Sequence, residues 1–360
     1  MKMNEIELRH LLHMNPELSF EEYKTKKILR EAIEEIGYTS IREVAKTGLV
    51  VEKKETEGPY VVLRAEMDAL PIEEETNWEY ASQNSNMHAC GHDFHMSALY
   101  GAMKSLKDTK KNFLFVFQPA EETGGGAKEV VTFLKEEYNI KAAIGFHVTD
   151  EYDFGTVASR SGVLFASATE FDVYFKGVPA HIAFFERGRD ALKTAVSFLH
   201  WLYNEKWDVL VGVGRISGGR VRNVVPDEVI LEGTIRSESL NITESILSEM
   251  EKVLISLKRK TGVTFSLKKG SVYPEVRVDS KLLEILRVVC GKLGFRFIEC
   301  EMKRTGEDFG YFSRVFPSLS FWFGVGEGKN RFGLHHPRFL PKDEYIPKAA
   351  EFLTALAVLI

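Results

Sequence analysis

Four short apolar runs constrain this chain more than any other feature: YVVLRAEMD (60–68), NFLFVFQPAEE (112–122), AAIGFHV (142–148) and SLSFWFGVG (318–326). Their apolar character is continuous rather than alternating, the pattern of strands buried on both faces. Helix-like segments at 97–106 and 128–137 separate the first three. Strand, helix and strand in alternation predict an α/β fold whose larger domain holds a mainly parallel sheet between helices. A further helix is expected between Glu21 and Gly37, where Ile28, Leu29, Ala32, Ile33 and Ile36 recur at helical spacing and Gly37 supplies a stop.

The middle of the chain has another rhythm. TEFDVYFKG (169–177) alternates, a helix follows over 189–205, strands lie near 208–216 and 228–237, and VTFSLKK (263–269) closes the stretch after a second helix. That helix carries Ile246, Met250, Val253, Leu254 and Leu257 on one face, and Asn241 with Glu244 reads as a capping box at its start. The order βαββαβ predicts a ferredoxin-like insert. The expected division is a larger domain of residues 1–167 and 276–360, interrupted by a smaller one at 168–275.

With 360 residues, 44% of them hydrophobic, the chain is long enough for two such cores. A formal charge of -5, without long blocks of either sign, argues against nucleic acid as a partner. The N-terminal MKMNEIELRH lacks the apolar core of a signal peptide, and no apolar stretch approaches a bilayer span, so a soluble cytoplasmic protein without a membrane partner is expected. Of three cysteines, Cys290 and Cys300 sit in apolar patterns and read as core residues. Cys90 alone stands among polar neighbours, in NMHACGHDFH (86–95).

Each strand of the larger domain runs into side chains that ligate metals or carry protons. Glu66 and Asp68 end the first, Glu121 and Glu122 follow the second, His147 ends the third, and His335 and His336 follow the fourth. Cys90 and His92 fall in the loop before the helix expected to begin near Ser97. Because open α/β sheets place their functional crevice outside the carboxyl ends of the strands, these separate segments are expected to converge. Thiolate, imidazole and carboxylate together suit zinc, cobalt or manganese better than calcium or magnesium. Cys90-Gly91-His92 is not the C-x-x-C of a structural zinc ribbon, so an open site is favoured. The rival reading is a thiol nucleophile at Cys90 activated by His88 or His92, which leaves both glutamates and His147 without a role. The Glu121-Glu122 pair fits hydrolysis, where one carboxylate binds metal and its neighbour moves a proton.

LRAEMDALPIEEET, NMHACGHDFHM, FQPAEETGGGA, HVTDEYDFGTVASRSGVLFAS, RNVVPDEVILEGTIR, TGEDFGYF and GLHHPRF occur in this order over nearly the whole chain. In these motifs the chain resembles the dinuclear-metal amidohydrolase and carboxypeptidase superfamily, in the branch of hippurate hydrolases, N-acyl amino acid amidohydrolases and auxin-conjugate hydrolases. Within that branch, SGVLFASATEF, VYPEV and RTGEDFGYF with GLHHPRF are most similar to the N-acetyldiaminopimelate deacetylases of bacterial lysine synthesis. The resemblance implies two divalent metal ions held by Cys90, His92, Glu122, His147 and His335, with Glu121 as general base. His335 is preferred to His336 because it directly follows Leu334 and stands two residues before Pro337.

Asp68 matches a position treated as catalytic, which in relatives orients a metal-bound histidine two residues earlier; Glu66 occupies that place here, where this branch more often shows aspartate. The insert is implied to be a lid and dimerisation domain. There His181 matches a histidine that steadies the oxyanion in the partner subunit's site, although Ala180 replaces the usual glycine before it. Asn223 and Arg236 match positions that hold the substrate carboxylate. The implied reaction is hydrolysis of the acetyl amide of an acylated amino acid, N-acetyl-LL-diaminopimelate, by a homodimer. Alternatives are hippurate-like acyl amino acids or short peptides as substrates, or a metal-binding relative without catalysis.

Overall fold

The structure, a computed structural model, describes residues 3–328 and 331–360. It contains two compact units: Met1–Leu164 with Val276–Met302 and Asp308–Ile360, and Phe165–Glu275 with Lys303–Glu307. The larger unit begins with α1 (Glu5–His13), α2 (Tyr23–Glu35), β1 (Ile41–Val44), β2 (Gly48–Lys53) and β3 (Tyr60–Glu66). It continues with α3 (His92–Leu106), β4 (Asn112–Gln118), α4 (Gly126–Glu137), β5 (Ile140–Asp153), β6 (Thr156–Ser159) and β7 (Gly162–Phe165). The smaller unit supplies β8 (Ser167–Lys176), α5 (Ala191–Asn204), β9 (Leu210–Gly218), β10 (Glu228–Ser237), α6 (Leu240–Thr261) and β11 (Thr264–Tyr273). The chain then adds β12 (Val276–Val278), α7 (Ser280–Leu293), β13 (Arg296–Glu299), α8 (Gly310–Ser313), β14 (Ser318–Gly326) and α9 (Ile346–Leu359).

The main sheet runs β1-β2-β4-β3-β5-β14-β6-β13. Its centre, β4-β3-β5-β14, is parallel, as continuous apolar strands joined by helices require. Toward the edges β1 with β2, β2 with β4 and β6 with β14 pair antiparallel while β13 joins β6 in parallel, so the sheet is mainly parallel, as expected, with antiparallel pairs outside its centre. Every residue of β3, β4 and β14 is buried. Phe146, Phe321, Phe323 and Phe352 of α9 interlock in this core, each buried ring contributing about 1.5–3 kcal/mol. The chain passes from β3 to β4 on one side and from β4 to β5 on the other, and this reversal opens a crevice at the carboxyl end of β3.

Two helix starts differ from expectation. Helix α3 opens at His92, not near Ser97, because Gly91 sits at its N-terminus with φ +83°, where a Cβ would lie 2.5 Å from Val148 Cγ2. Its first turn, HDFH, is wholly buried despite being polar, which hides it from a search for an amphipathic stripe. Helix α6 opens at Leu240, and the Asn241–Glu244 box does not form. The Leu240 N–H is met instead by the Glu275 carboxylate at 3.1 Å, and Glu244 pairs with Lys269.

In the smaller unit, β11-β8-β10-β9 form an antiparallel sheet, and α5 and α6 pack on it through Phe198, Leu202, Ile246, Met250 and Leu254. Lys303–Glu307 joins this unit, the Lys303 carbonyl accepting from the Ala166 N–H at 2.8 Å. Among the described residues, no helix is long and apolar enough to cross a membrane.

Candidate metal centre

The turn after β4 presents two adjacent glutamates, and Asp68 fixes how it does so. Ala120 has a left-handed backbone (φ +55°), held where its N–H donates to Glu22 Oε1 at 2.9 Å. The buried Asp68 carboxylate then accepts the Glu121 N–H on Oδ1 (3.1 Å) and the Glu122 N–H on Oδ2 (2.9 Å). Ser19 Oγ donates to Oδ2 as well, at 2.7 Å. One carboxylate thus pins the backbone of both glutamates.

Opposite the turn, two imidazoles have their tautomers set by backbone carbonyls. His92 donates from Nδ1 to the Asp68 carbonyl and His147 from Nδ1 to the Val148 carbonyl, each at 2.8 Å. A carbonyl only accepts, so in the neutral form of both rings Nε2 carries the lone pair. His147 Nε2 lies 3.3 Å from Cys90 Sγ, and His335 Nε2 lies 3.2 Å from the same sulfur and 3.5 Å from Glu122 Oε1. His335 itself has φ +63°, with its N–H donating to the Ala89 carbonyl at 2.9 Å. The turn before it is clamped by Asp150, whose Oδ2 accepts the Phe332 and Gly333 N–H groups at 2.8 and 2.9 Å.

Among the described residues, overlapping donor groups include Cys90 with His92 and His147, Cys90 with Glu122 and His335, His92 with Glu121 and Glu122, and His92 with Glu66 and His95, the donor atoms of each lying within 4.8 Å of one another. His92 Nε2 is buried and lacks a hydrogen-bond partner among the described residues, a costly state that a bound cation would relieve. The donor set of thiol, imidazole and carboxylate fits zinc, cobalt or manganese. Burial alone depresses the His92 pKa, but the Asp68 carboxylate outweighs it and raises the value above that of a free imidazole. The Asp68 carboxyl is correspondingly held below its ordinary range, His92 and Ser19 overcoming its burial.

The residues expected from sequence in the larger unit, Asp68, Cys90, His92, Glu121, Glu122, His147 and His335, therefore do come together. His147 lies midway along β5 opposite Trp322 rather than at the strand's end. Asp68 addresses His92 and the glutamate turn, not a side chain two residues earlier. The thiol alternative looked to His88 or His92; His147 and His335 stand at 3.3 and 3.2 Å from Cys90 Sγ, and His92 has a donor atom within 4.8 Å of it. Burial pushes His88 down to about 4, so it supplies no imidazolium.

Sequence reasoning missed His95, and the signal was its spacing of three from His92 on one helix face. His95 Nδ1 meets Glu66 Oε2 at 2.8 Å, and its Nε2 accepts the Val148 N–H at 3.0 Å. Both nitrogens are thereby used, which removes His95 from the ligand candidates. Glu66 also pairs with Arg64, which bridges to Asp308.

The other expected residues belong to the smaller unit. His181 is exposed at the head of a short 3-10 turn (Ile182–Arg187), and next to it the Ile182 N–H donates to the Asn223 carbonyl at 2.9 Å. Asn223 is exposed, and Arg236 is half-buried on β10 between Ala168 of β8 and Leu210 of β9.

Residues 62–358 match Peptidase family M20/M25/M40. An N-acetyldiaminopimelate deacetylase of Geobacillus sp. (strain WCH70) is 34% identical over 362 residues, covering 97% of this chain and 96% of that protein. The enzyme of the same name from Halalkalibacterium halodurans is 34% identical over 364 residues, 97% of each chain. Among solved structures, Bacillus subtilis YXEP, described as a dinuclear metal binding peptidase from the M20 family, superposes with a TM-score of 0.85 at 31% identity, covering 99% of this chain and 96% of that one. A putative aminohydrolase of methicillin-resistant Staphylococcus aureus gives a TM-score of 0.90 at 28% identity, covering 98% and 95%.

Proposed function

Because this chain belongs to peptidase family M20/M25/M40 and is a metal-dependent amidohydrolase, we propose that its substrate is N-acetyl-LL-diaminopimelate, cleaved to LL-diaminopimelate and acetate. One observation carries the reading: a thiol, three imidazoles and a carboxylate gather beside a second carboxylate, in a chain 34% identical to deacetylases of that name across 97% of its length.

In this reading Cys90, His92, Glu122, His147 and His335 hold two divalent cations, zinc, cobalt or manganese. The cations supply Lewis-acid polarisation of the amide carbonyl and of water. Glu121 takes a proton from the attacking water as its oxygen bonds to the acetyl carbon, and returns it to the amine as the C–N bond breaks. Asp68 keeps Glu121 and Glu122 on their separate tasks by holding both backbone N–H groups. Arg236 and Asn223 bind the substrate carboxylate, for which a guanidinium offers paired donors.

The smaller unit acts as lid and dimerisation domain of a cytoplasmic homodimer, His181 stabilising the oxyanion in the site of a second copy. Supporting this, Ile182, Phe184 and Phe185 beside His181 are exposed apolar side chains, Phe185 to 70%. The test is turnover on N-acetyl-LL-diaminopimelate beside benzoyl-glycine. A higher kcat/KM on the former is expected. The reverse order would move the substrate to hippurate-like acyl amino acids.

A further inference from the structure

Glu66 and His95 form a buried pair that the hydrolytic reading leaves without a task. Both are 0% exposed, and each has a donor atom within 4.8 Å of one on His92. The His95 ring stands edge-on to His147, 4.7 Å between centroids at 76°. Its Nε2 accepts the Val148 N–H at 3.0 Å, and the carbonyl of the same Val148 accepts from His147 Nδ1 at 2.8 Å. Val148 is thus gripped at both ends, by His95 on its nitrogen and by His147 on its oxygen. Gly91, before α3, leaves room for the Val148 side chain, since a Cβ there would fall 2.5 Å from Val148 Cγ2.

His95 can accept that N–H only if its proton sits on Nδ1, and Glu66 Oε2 at 2.8 Å from Nδ1 enforces this tautomer. Arg64 holds the other Glu66 oxygen, and Asp308 and Gln118 hold Arg64, so the carboxylate cannot swing away. We propose that Glu66 and His95 are positioning residues: through the backbone on either side of the Val148 Cα they fix the ring of His147, and with it the affinity of the centre for its cation. The inference rests on the reading of His147 as a metal ligand. Partners at one remove from a metal commonly contribute about 10–100-fold to its affinity.

The substitutions separate a relay from mere packing. In Glu66→Gln, Arg64 draws the amide oxygen and leaves the NH2 facing His95. That forces the proton to Nε2 and strips the Val148 N–H of its acceptor. His95→Asn retains a group at the Nδ1 position but nothing at Nε2, whereas His95→Gln places an amide near Nε2 and can accept from Val148.

Metal-free full-length protein is titrated with cobalt and followed by visible absorption, with unfolding of each metal-free variant measured alongside. Expected are cobalt binding about 10–100-fold weaker in Glu66→Gln and His95→Asn, a changed ligand-field spectrum, and recovery toward wild type in His95→Gln. Wild-type affinity and spectrum in a folded Glu66→Gln or His95→Asn overturn the proposal, as does equal weakening in His95→Asn and His95→Gln. Should Glu66→Gln not fold, the two His95 variants carry the test. A wild-type protein that binds no cobalt would instead overturn the metal reading itself.

Discussion

Replacing Asp68 by asparagine tests the central structural device of the site. The carboxylate offers two acceptor oxygens to the Glu121 N–H (3.1 Å), the Glu122 N–H (2.9 Å) and the Ser19 hydroxyl (2.7 Å), and faces His92 Nδ1 at 3.5 Å. Asparagine keeps one carbonyl oxygen and turns an NH2 toward one of the two backbone N–H groups. Its volume is unchanged, so no cavity forms. One buried donor loses its acceptor, at a cost of about 1–3 kcal/mol. If that cost falls on the geometry of the glutamate turn, turnover drops roughly 5- to 150-fold at a tenfold loss per 1.36 kcal/mol. The assay is amide hydrolysis at saturating metal, with cobalt affinity and urea unfolding of the metal-free protein measured on the same preparations. A Ser19→Ala control, which leaves both N–H bonds in place, should lose far less. Asp68→Asn with wild-type turnover and metal affinity would refute the argument that this carboxylate sets the two glutamates.

Glu121→Gln should lose about 10²–10⁴-fold in kcat with metal content retained; loss of bound metal would make Glu121 a ligand instead. Gly91→Ala must adopt φ +83° and push its Cβ to 2.5 Å from Val148 Cγ2, so a loss of about 2–5 kcal/mol in denaturant unfolding is expected, and a loss below 1 kcal/mol would contradict it. His13 gives a pH signature. Burial lowers its pKa, but Asp93 and Glu74 outweigh burial and Arg9 and hold it above the free value of 6.5. The imidazolium therefore contributes stability that is fully present below about pH 6.5 and lost as pH rises through the raised value. The difference in urea midpoint between wild type and His13→Gln should shrink from pH 6 to pH 9, and a constant difference would refute the assignment.

The four apolar runs were legible because a strand covered on both faces writes its burial continuously into the sequence, and their parallel pairing is what brings Asp68, the glutamate turn and His147 to one crevice. The elements of the smaller unit were legible because β8 alternates burial and α6 repeats it at helical spacing. The opening turn of α3 was not, since His92, Asp93 and His95 are buried polar residues that local periodicity reads as loop. Nor was the task of Asp68, whose partners Ser19 and Glu122 lie 49 and 54 residues away. The Glu275 cap of α6 escaped for the same reason, as a contact 35 residues distant outbids the local Asn241–Glu244 box.

The most direct measurement is acetate release from N-acetyl-LL-diaminopimelate by protein stripped with a chelator and then given manganese, cobalt or zinc. The account predicts no release from the stripped protein and its return on adding at least one of these ions. Release that persists after complete stripping, or protein that binds the metals tightly yet never releases acetate, would contradict it.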